Sequence, residues 1–183
     1  MTMMVLDIET TYKEVNGKTN PSPFITGNKL VSVGVINFDN KGDKIDYFKF
    51  SHSSGDESQE NFKKLNAYLQ NTQLLIGHNI KFDLQWLLEC GFKYNGNLYD
   101  TMVIDYLLSG GIKCDLTLDG CCRRRNVELP KKDLVSEYID KGIGFDKISW
   151  DTLKEYGIAD IKATKCLADY QLDILKTTYK EFI

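Results

Sequence analysis

The sequence predicts an α/β protein, a mixed sheet with helices packed on its faces. Three short segments with strand patterning open the chain, a helix and one more apolar run of strand length follow, and helical periodicity then continues to the end. The 183 residues, 42% apolar and 11% aromatic, are enough for one compact core and too few for two ordinary ones, so a single domain over 1–183 is expected.

Taken in order, Met3 to Glu9 reads as a strand, and a long polar connection over 10 to 29 leads to a second strand from Leu30 to Phe38. Asp39-Asn40-Lys41-Gly42-Asp43 supplies turn residues, and Ile45 to Phe50 returns as an antiparallel partner. Asp56 with Gln59 marks a helix start before Phe62, Leu65 and Leu69, and Leu74-Leu75-Ile76 is a fourth strand. Helices are expected from Phe82 to Cys90, stopped by Gly91, from Thr101 to Ser109, stopped by Gly110-Gly111, around Leu116 to Arg125, and from near Trp150 onward.

Composition narrows the function classes. A net charge of −3 with 27% charged residues argues against a binder that holds polyanions by bulk electrostatics, so any nucleic acid would be held locally. Cys90, Cys114, Cys121, Cys122 and Cys166 contain no C-x-x-C pair and are odd in number, which points to reduced thiols in a cytoplasm rather than zinc or disulfides. Neither a secretory leader nor a membrane span is expected.

Two positions apart in one strand, Asp7 and Glu9 leave the same face with Cα atoms about 7 Å apart. Their neighbours Met4, Leu6 and Ile8 suggest a buried strand, where paired carboxylates are costly unless a cation neutralises them. Asn79 and Asp83 sit where the fourth strand gives way to a helix, as functional residues of α/β sheets often do, although an N-cap and a first-turn acid would read the same way. In the last helix Leu153, Tyr156, Asp160, Ala163, Leu167, Tyr170 and Ile174 form one core-facing stripe, with Asp160 as an acid in its middle. Acids from three segments thus converge on the interior, a donor set that suits magnesium or manganese before zinc. Two such ions roughly 4 Å apart suit phosphoryl displacement.

Leu6-Asp7-Ile8-Glu9-Thr10, Asn79-Ile80-Lys81-Phe82-Asp83 and Tyr156-Gly157-Ile158-Ala159-Asp160, in this order, resemble the three motifs of the DEDD superfamily of 3′→5′ exonucleases, especially the proofreading domain of family A DNA polymerases. Asp100-Thr101-Met102 and Leu116-Thr117-Leu118-Asp119 resemble its connecting segments. The resemblance implies a ribonuclease H-like, mixed five-stranded sheet flanked by helices. It further implies two divalent cations, Mg2+ or Mn2+, held by Asp7, Glu9, Asp83 and Asp160. A tyrosine four residues before the last aspartate is the DEDDy pattern, and Tyr156 would orient the attacking water. Asp7 would bridge both ions, Asp83 would hold the second partly through water, and Thr10 and Asn79 would contact the 3′-terminal nucleotide.

The substrate implied is the 3′ end of single-stranded DNA, with a separate DNA polymerase as a possible partner and a phage or bacterial source, in the host cytoplasm if phage-encoded. A ribonuclease D-like exoribonuclease and a non-catalytic nucleic-acid-binding module are the alternatives. His78 is read as structural, Asp100 as an N-cap, and Asp119 and Asp169 as solvated acids. Tyr12 or Phe24 could stack on terminal bases. The basic runs Arg123-Arg124-Arg125 and Lys131-Lys132 are either solvated or a phosphate track.

Overall fold

A computed structural model describes residues 2–39, 42–55, 57–127 and 134–178. These residues form a five-stranded sheet from β1 (Met3–Thr10), β4 (Leu30–Asp39), β5 (Gly42–Lys49), β6 (Leu74–Gly77) and β7 (Asn97–Asp100). A separate small ribbon pairs β2 (Lys13–Val15) with β3 (Lys18–Asn20). The helices are α1 (Ser58–Asn71), α2 (Ile80–Glu89), α3 (Thr101–Leu108), α4 (Leu118–Arg124), α5 (Ser136–Asp140) and α6 (Trp150–Thr178). The strand order is β5-β4-β1-β6-β7, with β4 antiparallel to both β1 and β5, and β6 parallel to β1 and β7. The expected mixed sheet with flanking helices is therefore what the chain forms.

Strand β1 lies at the centre and is buried on both faces. Met4, Leu6 and Ile8 pack with Leu65, Leu69, Ile80, Trp86 and Leu87 of α1 and α2. Val5 faces the other way, in a cluster with Ile36, Ile76, Ile161 and Ala168 under α6. The period of two that separates these sets puts Asp7 and Glu9 in line with Val5, on the α6 side. Gly34 of β4, paired with Asp7, leaves room for Ile161 of α6 and Tyr47 of β5 to meet over it.

Several details differ from the sequence reading. The 10–29 connection contains the β2–β3 hairpin, turned by Asn16 (φ 53°) and Gly17 (φ 73°), a two-residue Asn-Gly turn that favours positive φ at both positions. Strand β7 and the short α5 also escaped the pattern. Tyr170 is 39% exposed, and the α6 stripe runs instead through Thr164, Leu167 and Gln171. A spacing that averages 3.5 slips by about 20° per heptad on a 3.6-residue helix, so a stripe read that way leaves the core after a few turns. Glu57 is the N-cap residue of α1 but makes no side-chain cap bond, while Asp56, Asn40, Lys41, Lys131 and Lys132 lie outside the described residues.

Within the Arg123-Arg124-Arg125 run, Arg123 is exposed as a solvated end would be, but its two neighbours are not. Arg124 and Arg125 turn inward onto Asp105, which is fully buried; Arg125 Nε donates to its Oδ1 at 2.6 Å, and Arg124 pairs with Oδ2. Burial alone would raise the Asp105 carboxyl, but the two guanidinium groups outweigh it and hold it below the ordinary range. Of the expected solvated acids, Asp169 is exposed and bonded to Lys165 at 2.8 Å, whereas Asp119 is half-buried.

Candidate metal centre

The candidate residues gather at the carboxyl end of β1, where sites of open α/β sheets form. Asp7 and Glu9 come from β1 and Asp160 from α6, and each offers a carboxylate oxygen such that all three lie within 4.8 Å of one another. Glu9 and Asp160 are each 7% exposed and Asp7 is half-buried. Helix α6 reaches this place because Ser149 starts it, its hydroxyl accepting from Thr152 N at 3.2 Å, and because Leu153, Ile161 and Leu167 bury one side of it. The β1–β4 register shifts between Glu9 and Thr10, a bulge just beyond the acids of the kind that re-aims side chains beside active sites.

Asp83 arrives differently. Strand β6 pairs with β1 only as far as Val5–Ile76, then turns away at Gly77, and β1 continues without it. The N–H of Ile8, between Asp7 and Glu9, donates to Asp83 Oδ1 at 3.2 Å. Asp83 is 3% exposed, and burial, followed by the nearby Asp7 carboxylate, pushes its carboxyl well above the ordinary value. It therefore borders the trio through Asp7 while one oxygen is engaged by the strand backbone, and it does not itself join the three.

Tyr156 lies one turn before Asp160, is hydrogen-bonded to it, and stacks its ring on Phe145 with centroids 6.1 Å apart. Burial first, then Glu9, Asp160 and Asp7, raise its hydroxyl far above the ordinary phenol, so it stays protonated as a donor. Beneath it Tyr47, on β5, bonds Ser32 Oγ at 2.9 Å and donates to the Leu153 carbonyl at 3.3 Å. Ser32 is the β4 partner of Glu9, so Tyr47 ties the acidic strand to the start of α6. Neither Tyr47 nor Phe145 stands out in the sequence, because an aromatic residue in a strand or a loop looks like ordinary core.

The remaining residues divide. Thr10 is 6% exposed at the end of β1, and Asn79 is exposed. Asn79 occupies the N-cap position of α2 in the left-handed conformation (φ 60°) without a side-chain cap bond, and its N–H donates to Asp100 Oδ1 at 3.0 Å. Asp100 is the N-cap of α3, accepting from Met102 N at 3.0 Å. His78 is structural: Nε2 lies 2.8 Å from the Leu116 carbonyl and Nδ1 2.9 Å from Thr101 Oγ1, and burial lowers its pKa.

An all-carboxylate trio is a fitting ligand set for a hard divalent cation and a poor one for zinc. The trio stands beside the central strand of this sheet and is closed by α6. Residues 30–175 match the 3′-5′ exonuclease family, and the chain belongs to that family. Asp83, Tyr156 and Asp160 fall inside the matched span; Asp7 and Glu9 precede it, and β1 joins them to it through its pairing with β4 and β6. No curated protein sequence matches the chain. Among solved structures it is similar to Brucella melitensis NrnC bound to pGG, at 17% identity and a TM-score of 0.61, over 96% of this chain and 74% of that one. It is also similar to Brucella melitensis NrnC with bound Mg2+, at 17% identity, a TM-score of 0.58 and the same coverage. These likenesses establish the fold.

Proposed function

We propose that this exonuclease removes nucleoside monophosphates from the 3′ end of single-stranded DNA, using two divalent cations, Mg2+ or Mn2+. The observation that carries the reading is the convergence of Asp7, Glu9 and Asp160, from opposite ends of the chain, beside the protonated hydroxyl of Tyr156. Asp7, Glu9 and Asp160 hold one cation, and Asp83, which borders Asp7, completes the site for the second. The cations supply Lewis acidity at the scissile phosphate and acidify water, so no side-chain base is needed.

The protein's own part is positioning. Tyr156, its hydroxyl proton on Asp160, orients the attacking water by accepting from it, and the Phe145 ring stacks against it. Thr10 and Asn79 flank the terminal nucleotide. The reading extends to a single domain over 1–183 acting in a cytoplasm, which the five free cysteines suit; no described helix is long and apolar enough to cross a membrane.

The preference for DNA rests on the polymerase-like segments Asp100-Thr101-Met102 and Leu116-Thr117-Leu118-Asp119. One observation favours the ribonuclease D-like reading instead, namely that a structurally similar protein, Brucella NrnC, has been solved with pGG. End-labelled DNA and RNA of one sequence, incubated in magnesium with wild type and Asp7→Ala, decide between them. Laddering from the 3′ end of DNA, lost in the variant, is the expected result; faster laddering of RNA transfers the assignment, and equal residual activity in both proteins removes it.

A further inference from the structure

Arg124 and Arg125 are committed to Asp105, whereas a set of lysines beside the end of β1 is not so engaged. A groove of about 270 Å³ opens between the end of β1 and the loop before α6, and Lys13, Lys29 and Lys147 line it together with Tyr12, Gly27 and Asp146. All three lysines are exposed, and among the described residues none makes an ion pair. One half-buried carboxylate, Asp146, accompanies them, so the groove carries net positive charge on a chain whose total is −3.

Both rims are rooted in the elements that carry the site. On one side Thr11 follows directly on β1, two residues after Glu9, and is clamped to Lys29 by two bonds: Thr11 N to the Lys29 carbonyl at 2.9 Å, and Lys29 N to Thr11 Oγ1 at 2.7 Å. Lys13 begins the β2–β3 hairpin, its side-chain Cε 3.2 Å from the place where a Cβ would stand on Gly27. On the other side Lys147 N donates to the Gly144 carbonyl at 2.9 Å, and the Asp146 carbonyl accepts from Ser53 N at 2.9 Å. Between Gly144 and Asp146 stands Phe145, the residue stacked on Tyr156. These lysines thus stand on a surface that continues from the end of β1 on one side and from Phe145 on the other.

We propose that this groove is a phosphodiester-backbone subsite, in which Lys13, Lys29 and Lys147 hold the phosphates upstream of the 3′-terminal nucleotide. The proposal rests on the exonuclease reading for the polarity of the strand and adds to it a length dependence: substrates long enough to reach the groove bind through it, and those ending at the scissile bond do not. A point charge on a flexible stem suits phosphates read without regard to sequence.

The test is anisotropy of a 5′-fluorescein-labelled oligothymidylate of roughly ten nucleotides, titrated with the full chain in calcium across a salt series, alongside hydrolysis of the same oligomer and of thymidine 5′-p-nitrophenyl phosphate in magnesium. In K13Q/K29Q/K147Q the Kd is expected to rise on the order of tenfold, and the slope of log K against log salt to flatten by up to about 2, since each phosphate contact on a single strand contributes about 0.7. Hydrolysis of the nitrophenyl ester should be unchanged in that variant, and K13R/K29R/K147R should restore binding. Unchanged Kd and slope in the glutamine variant overturn the groove while leaving the exonuclease reading in place. Binding by wild type that is lost in the glutamine variant, with neither protein hydrolysing the oligomer, leaves the groove standing and removes the exonuclease. Absence of binding by wild type overturns the groove as well.

Discussion

The side chain of Tyr47 occupies the space that a Cβ on Gly157 would need. Gly157 lies in α6 between Tyr156 and Asp160, where propensity alone favours alanine over glycine by about 1 kcal/mol. Here the ordering is expected to reverse, because the tyrosine hydroxyl is held by Ser32 and by the Leu153 carbonyl and gives up those bonds if it moves. The glycine lets α6 approach the sheet closely enough for Asp160 to meet Asp7 and Glu9.

Gly157→Ala is therefore expected to destabilise the fold by about 1–3 kcal/mol, as overpacking does, and to lower activity by moving Asp160. Because the obstacle is Tyr47, Tyr47→Leu should recover part of that loss in the double variant. Urea unfolding of the four proteins of the cycle measures it; additive effects with no coupling would show that the contact does not set the helix position.

Asp105 and its two arginines form a buried network, and breaking it by removing one partner is expensive. Asp105→Ala should cost about 3–5 kcal/mol by leaving two guanidinium groups without their carboxylate. The pH dependence has a definite sign: the folded carboxyl is held below its unfolded value, so its contribution is fully present above the unfolded pKa of about 4 and is lost as pH falls through the folded value. Wild type should lose more stability than Asp105→Ala in denaturant titrations on the acid side, and parallel pH profiles would contradict this.

Magnesium or manganese should raise the melting temperature, because a ligand bound to the folded state at roughly 100 times its Kd contributes about 2.7 kcal/mol. Replacing Asp7, Glu9, Asp83 and Asp160 with their amides should abolish that response. In EDTA the same variant should melt above wild type, since it no longer gathers buried carboxylates. Differential scanning calorimetry reads both effects, and a metal shift that survives the fourfold change would locate binding elsewhere.

Tyr156→Phe keeps the ring against Phe145 and removes only the hydroxyl. A loss of kcat on the order of tenfold to a hundredfold, with KM and melting temperature nearly unchanged, is the signature of a group that orients a reactant. A large fall in melting temperature would instead assign Tyr156 to the core.

Sequence patterning reached the parts of this molecule where one element determines its own environment. The alternation around Asp7 and Glu9 and the acid at position 160 in an apolar helix face both survive in three dimensions. Residues whose role depends on a distant partner were not legible. Arg124 and Arg125 look like a solvated run until Asp105, a helix away, turns toward them, and Tyr47 looks like core until Gly157 is placed above it. Asn16-Gly17 is a different case, because that turn signal was present and simply lay inside a stretch read as connection. Asp83 shows the remaining difficulty: its type and position were as expected, but its bond to the Ile8 backbone follows from β6 ending before β1 does, which no local pattern encodes.

The acids of the candidate centre come from the first strand and the last helix, with nearly the whole chain between them. Because Asp7 and Glu9 stand on β1 and Asp160 on α6, the three carboxylates meet only when those two elements pack together, so their meeting reports long-range closure of the fold rather than any local step.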